Sequence, residues 1–264
     1  MSALIVEEEV VHYEVLGRGR PLIFVHGWLG SWRYWIPTMQ ALSAEFRTYA
    51  LDLWGFGDSS KRRERYSLDG QAELLRGFME QLGIVKAAFV GHGLGAAAVV
   101  RFAHAHPDLA DRAMAVSMPL TNAAIGPQLT NPALSLPALV ESLLGKGPTA
   151  DPITVEARKA DLAAVEASVR ALLEKEIRAE LAELKPPCLL VYGEKDPVVT
   201  APQDGWMNGL TNNVHEIDLE ESRHFPMLDE ASKFNRLLAD FLALKSGEDL
   251  KNLELKDEWR RRVR

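Results

Sequence analysis

Strand-like and helix-like runs alternate through the first 118 residues, and this alternation constrains the fold more than any other feature of the chain. "VVHYEVLG" has strand composition and ends in the Gly-rich turn "GRGRP". "PLIFVHG" is a continuous apolar run, as a strand buried on both faces requires. "SWRYWIPTMQALSAEF" is amphipathic, with Ser31 placed to cap a helix. "RTYALDL" is the next strand, and "SLDGQAELLRGFMEQLG" a helix closed by Gly83. "KAAFVGH" is a strand, "LGAAAVVRFAHAHP" a helix stopped before Pro107, and "DRAMAVSM" a strand again. Strands separated by helices of this length imply parallel βαβ units, hence a doubly wound sheet.

The rhythm breaks at Pro119. From there to Pro187 no strand-like run occurs, and residues 119–185 contain no Phe, Trp, Tyr, His, Met or Cys. Proline- and glycine-rich segments ("GPQLTNPALSLP", "GKGPTADP") lead into "TVEARKADLAAVEASVRALLEKEIRAELAEL", one long stretch of helix formers. The pattern predicts a small helical insertion. The sheet then resumes with "PCLLVYG" as a strand, "APQDGWMNGL" as a short helix, "NNVHEIDLE" as a strand and "MLDEASKFNRLLADFLALK" as a helix. The expected organisation is a core of residues 1–118 and 186–245, an insertion of 119–185 and a charged tail of 246–264.

Composition narrows the functional classes. In 264 residues, 30 Lys and Arg stand against 37 Asp and Glu, a formal charge of −7 that disfavours nucleic acid or an anionic membrane as partner. No run approaches ~18 uncharged apolar residues, so no membrane span is expected. "MSALIVEEEVVHYEV" lacks a basic start, and three glutamates break its apolar run, so it is not a signal peptide pattern. The lone Cys188 sits in an apolar run as a core residue, which points to a reducing, cytoplasmic setting. A small apolar molecule is the expected partner, and the chain is expected to be a monomer or homodimer.

The stretch "FVGHGLGAAAVVRFA" carries two meanings. Gly91-His92-Gly93-Leu94-Gly95-Ala96 fits G-x-G-x-x-G/A, a dinucleotide-binding turn. That reading needs the turn to follow the first strand of the unit and an acidic residue at the end of the next strand. Here the strand lies deep in the series, and the next one ends in Ser117 and Met118, so no cofactor is expected. With Ser at position 93 the same stretch would be a G-x-S-x-G nucleophile elbow. Three distant segments answer that second reading. "FVHGWLGS" offers a loop with the Trp28 N–H as an oxyanion donor beside that of Leu94. "VYGEKDPVV" places Asp196 in a turn after a strand, and "LEESRHFPML" places His224 after the last one. Nucleophile, acid, histidine is the order used by this kind of site.

Together, "FVHGWLGS", "LDLWGFGDSS", "VGHGLGAAA", "LLVYGEKDPVV" and "SRHFPMLDE" resemble the cap-bearing, cofactor-independent α/β-hydrolases, over about His12 to Leu244. The resemblance implies a doubly wound, mostly parallel sheet with a small helical cap inserted after the sixth strand. It also implies a pocket between cap and sheet, with Trp54 and His92 at the substrate. Gly93 departs from the family, whose members carry Ser there, or less often Asp or Cys. The epoxide-cleaving branch uses cap tyrosines, which this insertion lacks, and the dehalogenase branch commonly has Trp where this chain has Leu94. Ser is therefore the implied missing group, and ester, acyl or C–C cleavage the implied chemistry. What remains is an Asp196–His224 dyad able to activate water, or a binding protein that keeps only the pocket. Among the other histidines, His26 and His92 are expected to orient loops, and His12 and His215 to be exposed strand positions. His104 and His106 lie near a helix C-terminus, with no ligand cluster to suggest a metal.

Overall fold

The computed structural model describes residues 2–130, 139–141, 150–174, 176–202, 205–245 and 247–253. Among them, one sheet is formed by β1 (Ser2–Val6), β2 (Glu9–Gly17), β3 (Arg20–Val25), β4 (Phe46–Leu51), β5 (Ala87–His92), β6 (Ala110–Val116), β7 (Cys188–Gly193) and β8 (Val214–Leu219). The spatial order is β1-β2-β4-β3-β5-β6-β7-β8. From β3 onward every pairing is parallel, while β2 is antiparallel to both β1 and β4. The expected doubly wound, mostly parallel sheet is therefore present. Its central strands have no polar face because both faces are covered. Leu22 to Val25, Ala113 to Val116 and Cys188 to Tyr192 are all fully buried. The helices α1 (Ile36–Leu42), α2 (Leu68–Gln81) and α3 (Leu94–Ala105) follow β3, β4 and β5. Ser31 accepts the Arg33 N–H and so caps a 3-10 turn over Trp32–Trp35 that leads into α1, while Ser67 accepts the Gly70 N–H and caps α2.

Two differences from the sequence reading matter. The strand β1 is an element that the sequence reading does not include. It joins β2 through Glu7 and Glu8, with φ of 48° and 69°, in a two-residue hairpin turn. Such turns ordinarily carry Asn-Gly, so two glutamates gave no turn signal. The segment "APQDGWMNGL" is not helical over its described residues. Residues 205–209 form successive turns, with Gly205 and Gly209 at φ of 88° and 85°.

Between β6 and β7 the described residues form α4 (Pro127–Thr130), α5 (Ala150–Ala157), α6 (Leu162–Glu174) and α7 (Arg178–Ala182). The long stretch of helix formers is divided among the last three of these helices. The break lies at Asp161, whose Oδ1 accepts the Ala163 N–H at 2.9 Å, capping α6. The Asp161 N–H donates to the Gly55 carbonyl at 2.8 Å, and the Tyr66 hydroxyl donates to Asp161 Oδ2 at 2.9 Å, pinning this corner to the core. Nearby, Lys159 bridges to Asp58 at 3.0 Å and Arg33 to the buried Glu156 at 2.8 Å. "NPALSLP" and most of "GKGPTADP" lie outside the described residues. After β8 come α8 (Pro226–Asp229) and α9 (Ala231–Ala243). The tail is not wholly solvated: Leu250 and Leu253 are buried. Its basic end, "RRRVR", lies outside the described residues.

Candidate active site

Position 93 joins β5 to α3. Gly93 has φ of 50° and ψ of −113°, a conformation that costs a side-chain-bearing residue about 1–3 kcal/mol. A Cβ built there would stand 3.1 Å and 3.2 Å from Trp28 Cε3 and Cζ3, so the indole would have to yield slightly to any side chain. Two residues on, a Cβ at Gly95 would lie 2.4 Å from the His26 carbonyl oxygen. The start of α3 can therefore press against the end of β3 only without a side chain. Leu94 is the first residue of α3, so its N–H has no partner within the helix.

The other two elements arrive from the ends of β7 and β8. Asp196 lies in the turn after β7, its N–H bonded to the Gly193 carbonyl at 3.1 Å. Its Oδ1 accepts the N–H groups of Val198 and Val199 at 2.8 Å and 3.1 Å. Its Oδ2 accepts the Nδ1–H of His224 at 2.8 Å. The bond to a carboxylate fixes the proton on Nδ1 and leaves Nε2 as the free nitrogen. That Nε2 is buried and has no hydrogen-bond partner among the described residues. Burial pushes the Asp196 carboxyl up, but the His224 charge, its hydrogen bond and the two backbone N–H groups outweigh it. The net shift is below the ordinary aspartate value.

A buried network ties these loops together. His92 Nε2 faces the carbonyl oxygen of His224 at 2.8 Å and so must carry a proton. Its Nδ1 is then an acceptor, and the Tyr34 hydroxyl donates to it at 3.0 Å. The same hydroxyl oxygen accepts the Gly27 N–H at 2.6 Å. The segment after β3, the end of β5 and the loop after β8 thus share one chain of bonds. Burial, followed by the neighbouring His224 charge, holds His92 well below the ordinary histidine range, which keeps it neutral as the network requires. His26 acts similarly. It donates from Nδ1 to the Gly27 carbonyl at 2.8 Å and accepts the Leu53 N–H on Nε2 at 3.0 Å. Burial lowers its pKa too.

Several sequence expectations change at this level. His92 orients loops, but with both ring nitrogens engaged it offers none to a substrate in this state. Trp54 is 2% exposed and anchored to α2, its N–H donating to Gln71 and its carbonyl accepting from Gln71, each at 3.0 Å. His12 is not an exposed strand position. It is 5% exposed, with Nδ1 3.3 Å from Asp52 Oδ2. His12, Asp52 and Asp58 bring ligand-type atoms within 4.8 Å of one another. Their charges are already met internally: Asp52 accepts the N–H groups of Trp32 and Asp58, and Asp58 pairs with Lys159 and Arg33. Tyr34 and Ser168, the latter accepting the Trp28 indole N–H at 3.0 Å, were not singled out by sequence. Both depend on contacts between distant segments and carry no local pattern.

Residues 20–159 match the family model described as alpha/beta hydrolase fold. The chain belongs to the α/β-hydrolase fold family. Over 108 residues it is 34% identical to the soluble epoxide hydrolase of Corynebacterium sp. strain C12, a match covering 41% of this chain and 38% of that enzyme's length. It is 26% identical to the pimeloyl-[acyl-carrier protein] methyl ester esterase of Vibrio cholerae over 253 residues, 88% of this chain and 97% of the esterase. Among solved structures, the enol-lactonase from Burkholderia xenovorans LB400 superposes with a TM-score of 0.82 at 21% identity, covering 92% of this chain and all of the lactonase. No described helix of the chain is long and apolar enough to cross a membrane.

Proposed function

We propose that this α/β-hydrolase holds the acid and base of an ester-, acyl- or C–C-cleaving site and lacks its nucleophile, so that it hydrolyses a small apolar substrate weakly, through water. The observation that carries the reading is the Asp196–His224 bond of 2.8 Å beside a strand-to-helix turn with a left-handed central residue and no side chain there. His224 Nε2 would take a proton from water as the water attacks the carbonyl carbon. Asp196 would hold the Nδ1 proton and the resulting charge, and the N–H groups of Trp28 and Leu94 would receive the developing oxyanion. The names of the esterase and lactonase relatives support an acyl substrate. Removing a serine nucleophile from an intact triad costs about a million-fold in turnover, or ~8 kcal/mol, so the remaining rate is small.

A second reading, a ligand-binding protein without catalysis, is favoured by the state of the site. Trp28, Leu94 and His224 are all fully buried or nearly so. Turnover of an activated-ester panel by the unmodified chain and by His224→Ala separates the two. A rate above buffer that falls to background in His224→Ala supports water activation. Equal rates rule it out, and no rate in either supports binding alone.

A further inference from the structure

Every group assigned to the site is sealed from solvent. Trp28, Leu94 and His224 are 0% exposed, and the Asp196 side chain is 1% exposed. Among the described residues, Gly93 and His224 Nε2 are buried, so a ligand reaches them only when a covering group moves. The side chain standing over Gly93 is Trp28, whose six-membered ring edge lies 3.1 Å and 3.2 Å from the Cβ position of residue 93. That ring is held from the far side. Its Nε1–H donates to Ser168 Oγ at 3.0 Å, and the Ser168 hydroxyl donates onward to the Val165 carbonyl at 2.8 Å. Ser168 is itself fully buried on α6. The loop that presents the ring is strained just beyond it, with Leu29 at φ of 59°, a region that β-carbon-bearing residues rarely occupy.

The attachment of α6 explains how such a device would work. Its N-terminus is fixed to the core at Asp161 by Gly55 and Tyr66. Ser168 lies seven residues further, about 10 Å along the helix at ~1.5 Å per residue. A small tilt of α6 about the fixed corner would therefore move Ser168 away from the oxyanion loop. It would break the indole hydrogen bond while leaving the corner intact.

We propose that the Trp28 indole is the gate of this site, clamped over position 93 by Ser168 of the cap, and that a small acyl compound enters only when the clamp releases and the ring turns aside. The proposal rests on the reading of position 93 as the nucleophile position. It deepens that reading by assigning what controls access and by coupling access to the cap. The same indole would then set the size of ligand admitted, since its displaced volume is the space the ligand takes.

The test uses the full chain carrying Gly93→Ser and a small alkyl fluorophosphonate. The new hydroxyl oxygen attacks phosphorus, fluoride leaves, and the hydroxyl proton passes to His224. Labelling rates, read by intact mass, are compared for Gly93→Ser alone, with Ser168→Ala, and with Trp28→Ala. The gate predicts labelling three- to tenfold faster with Ser168→Ala and at least as fast with Trp28→Ala, with a larger gain for bulkier alkyl groups. Ser168→Ala removes one hydroxyl and is expected to fold, which its melting temperature checks. Equal rates in all three chains overturn the gate and leave the reading of position 93 standing. Absence of label in all three overturns both.

Discussion

Replacing Tyr34 with Phe isolates the bond network that joins the three site segments. The ring would keep its neighbours, Trp35 at 5.1 Å and His92 and Phe225 at 5.7 Å between centroids, so packing hardly changes. What disappears is the acceptor for the Gly27 N–H and the donor to His92 Nδ1. Both partners stay buried, and an unpaired buried polar group costs about 1–3 kcal/mol. Allowing for some relaxation, Tyr34→Phe should destabilise the fold by about 3 kcal/mol. A chain of this size shifts its melting point by ~2–4 °C per kcal/mol, so Tm should fall by roughly 6–12 °C. Urea unfolding with an unchanged denaturant slope is the cleaner assay, because an altered slope would signal a changed end state. Burial raises the Tyr34 pKa well above the ordinary tyrosine value, with the Gly27 N–H pulling only weakly the other way, so the loss should be the same at pH 6 and pH 9. A loss below ~1 kcal/mol, the scale of an ordinary hydrogen bond, would refute the idea that this hydroxyl satisfies two buried groups.

Two further predictions concern pH. The Asp196 carboxyl has a lowered folded pKa, so its contribution is present above the unfolded value of ~3.9 and fades as pH falls through the folded one. Asp196→Asn should therefore be most destabilising near neutrality, with the deficit shrinking in unfolding curves taken below ~4; a deficit independent of pH would contradict the assignment of Asp196 as a buried, hydrogen-bonded carboxylate. Glu216 behaves oppositely: burial, then the Asp218 charge, pushes it up to about 7. An unfolded glutamate ionises near ~4.3, so a penalty grows as pH rises toward 7, and Glu216→Gln should raise Tm at pH 8 but not near pH 4.

The legible features of the chain were those encoded locally or by order. The continuous apolar runs of β3, β5 and β7 fixed a sheet covered on both faces. Glycines at 91, 93 and 95 marked a close strand-to-helix turn, and Asp196 and His224 stood out because each follows a strand in a turn. Their hydrogen bond follows from the sheet order, which brings the ends of β7 and β8 side by side. The misreadings have a common source in what lies across the fold. Without turn chemistry at Glu7 and Glu8, nothing in the sequence separates β1 from β2. The expectation of an exposed His12 fails because its ring packs against Trp32 and Asp52, which come from the segments after β3 and β4. Trp28 was legible as a backbone donor but not as a ring over Gly93. Its fixing partner, Ser168, lies 140 residues away on a helix whose sequence has no break signal at Asp161 beyond the aspartate itself. Tyr34 sits inside an aromatic-rich segment where nothing local distinguishes it from a core residue.

The central claim is that position 93 is where a nucleophile belongs, above an intact Asp196–His224 dyad. The most direct measurement is hydrolysis of a small activated ester by Gly93→Ser beside the unmodified chain and the double variant Gly93→Ser, His224→Ala. The site geometry predicts a gain of at least about a hundredfold for Gly93→Ser, toward the roughly million-fold that a serine nucleophile supplies in an intact triad, and loss of that gain in the double variant. A Gly93→Ser chain that folds, as judged by its melting curve, yet is no faster than the unmodified chain would contradict the claim.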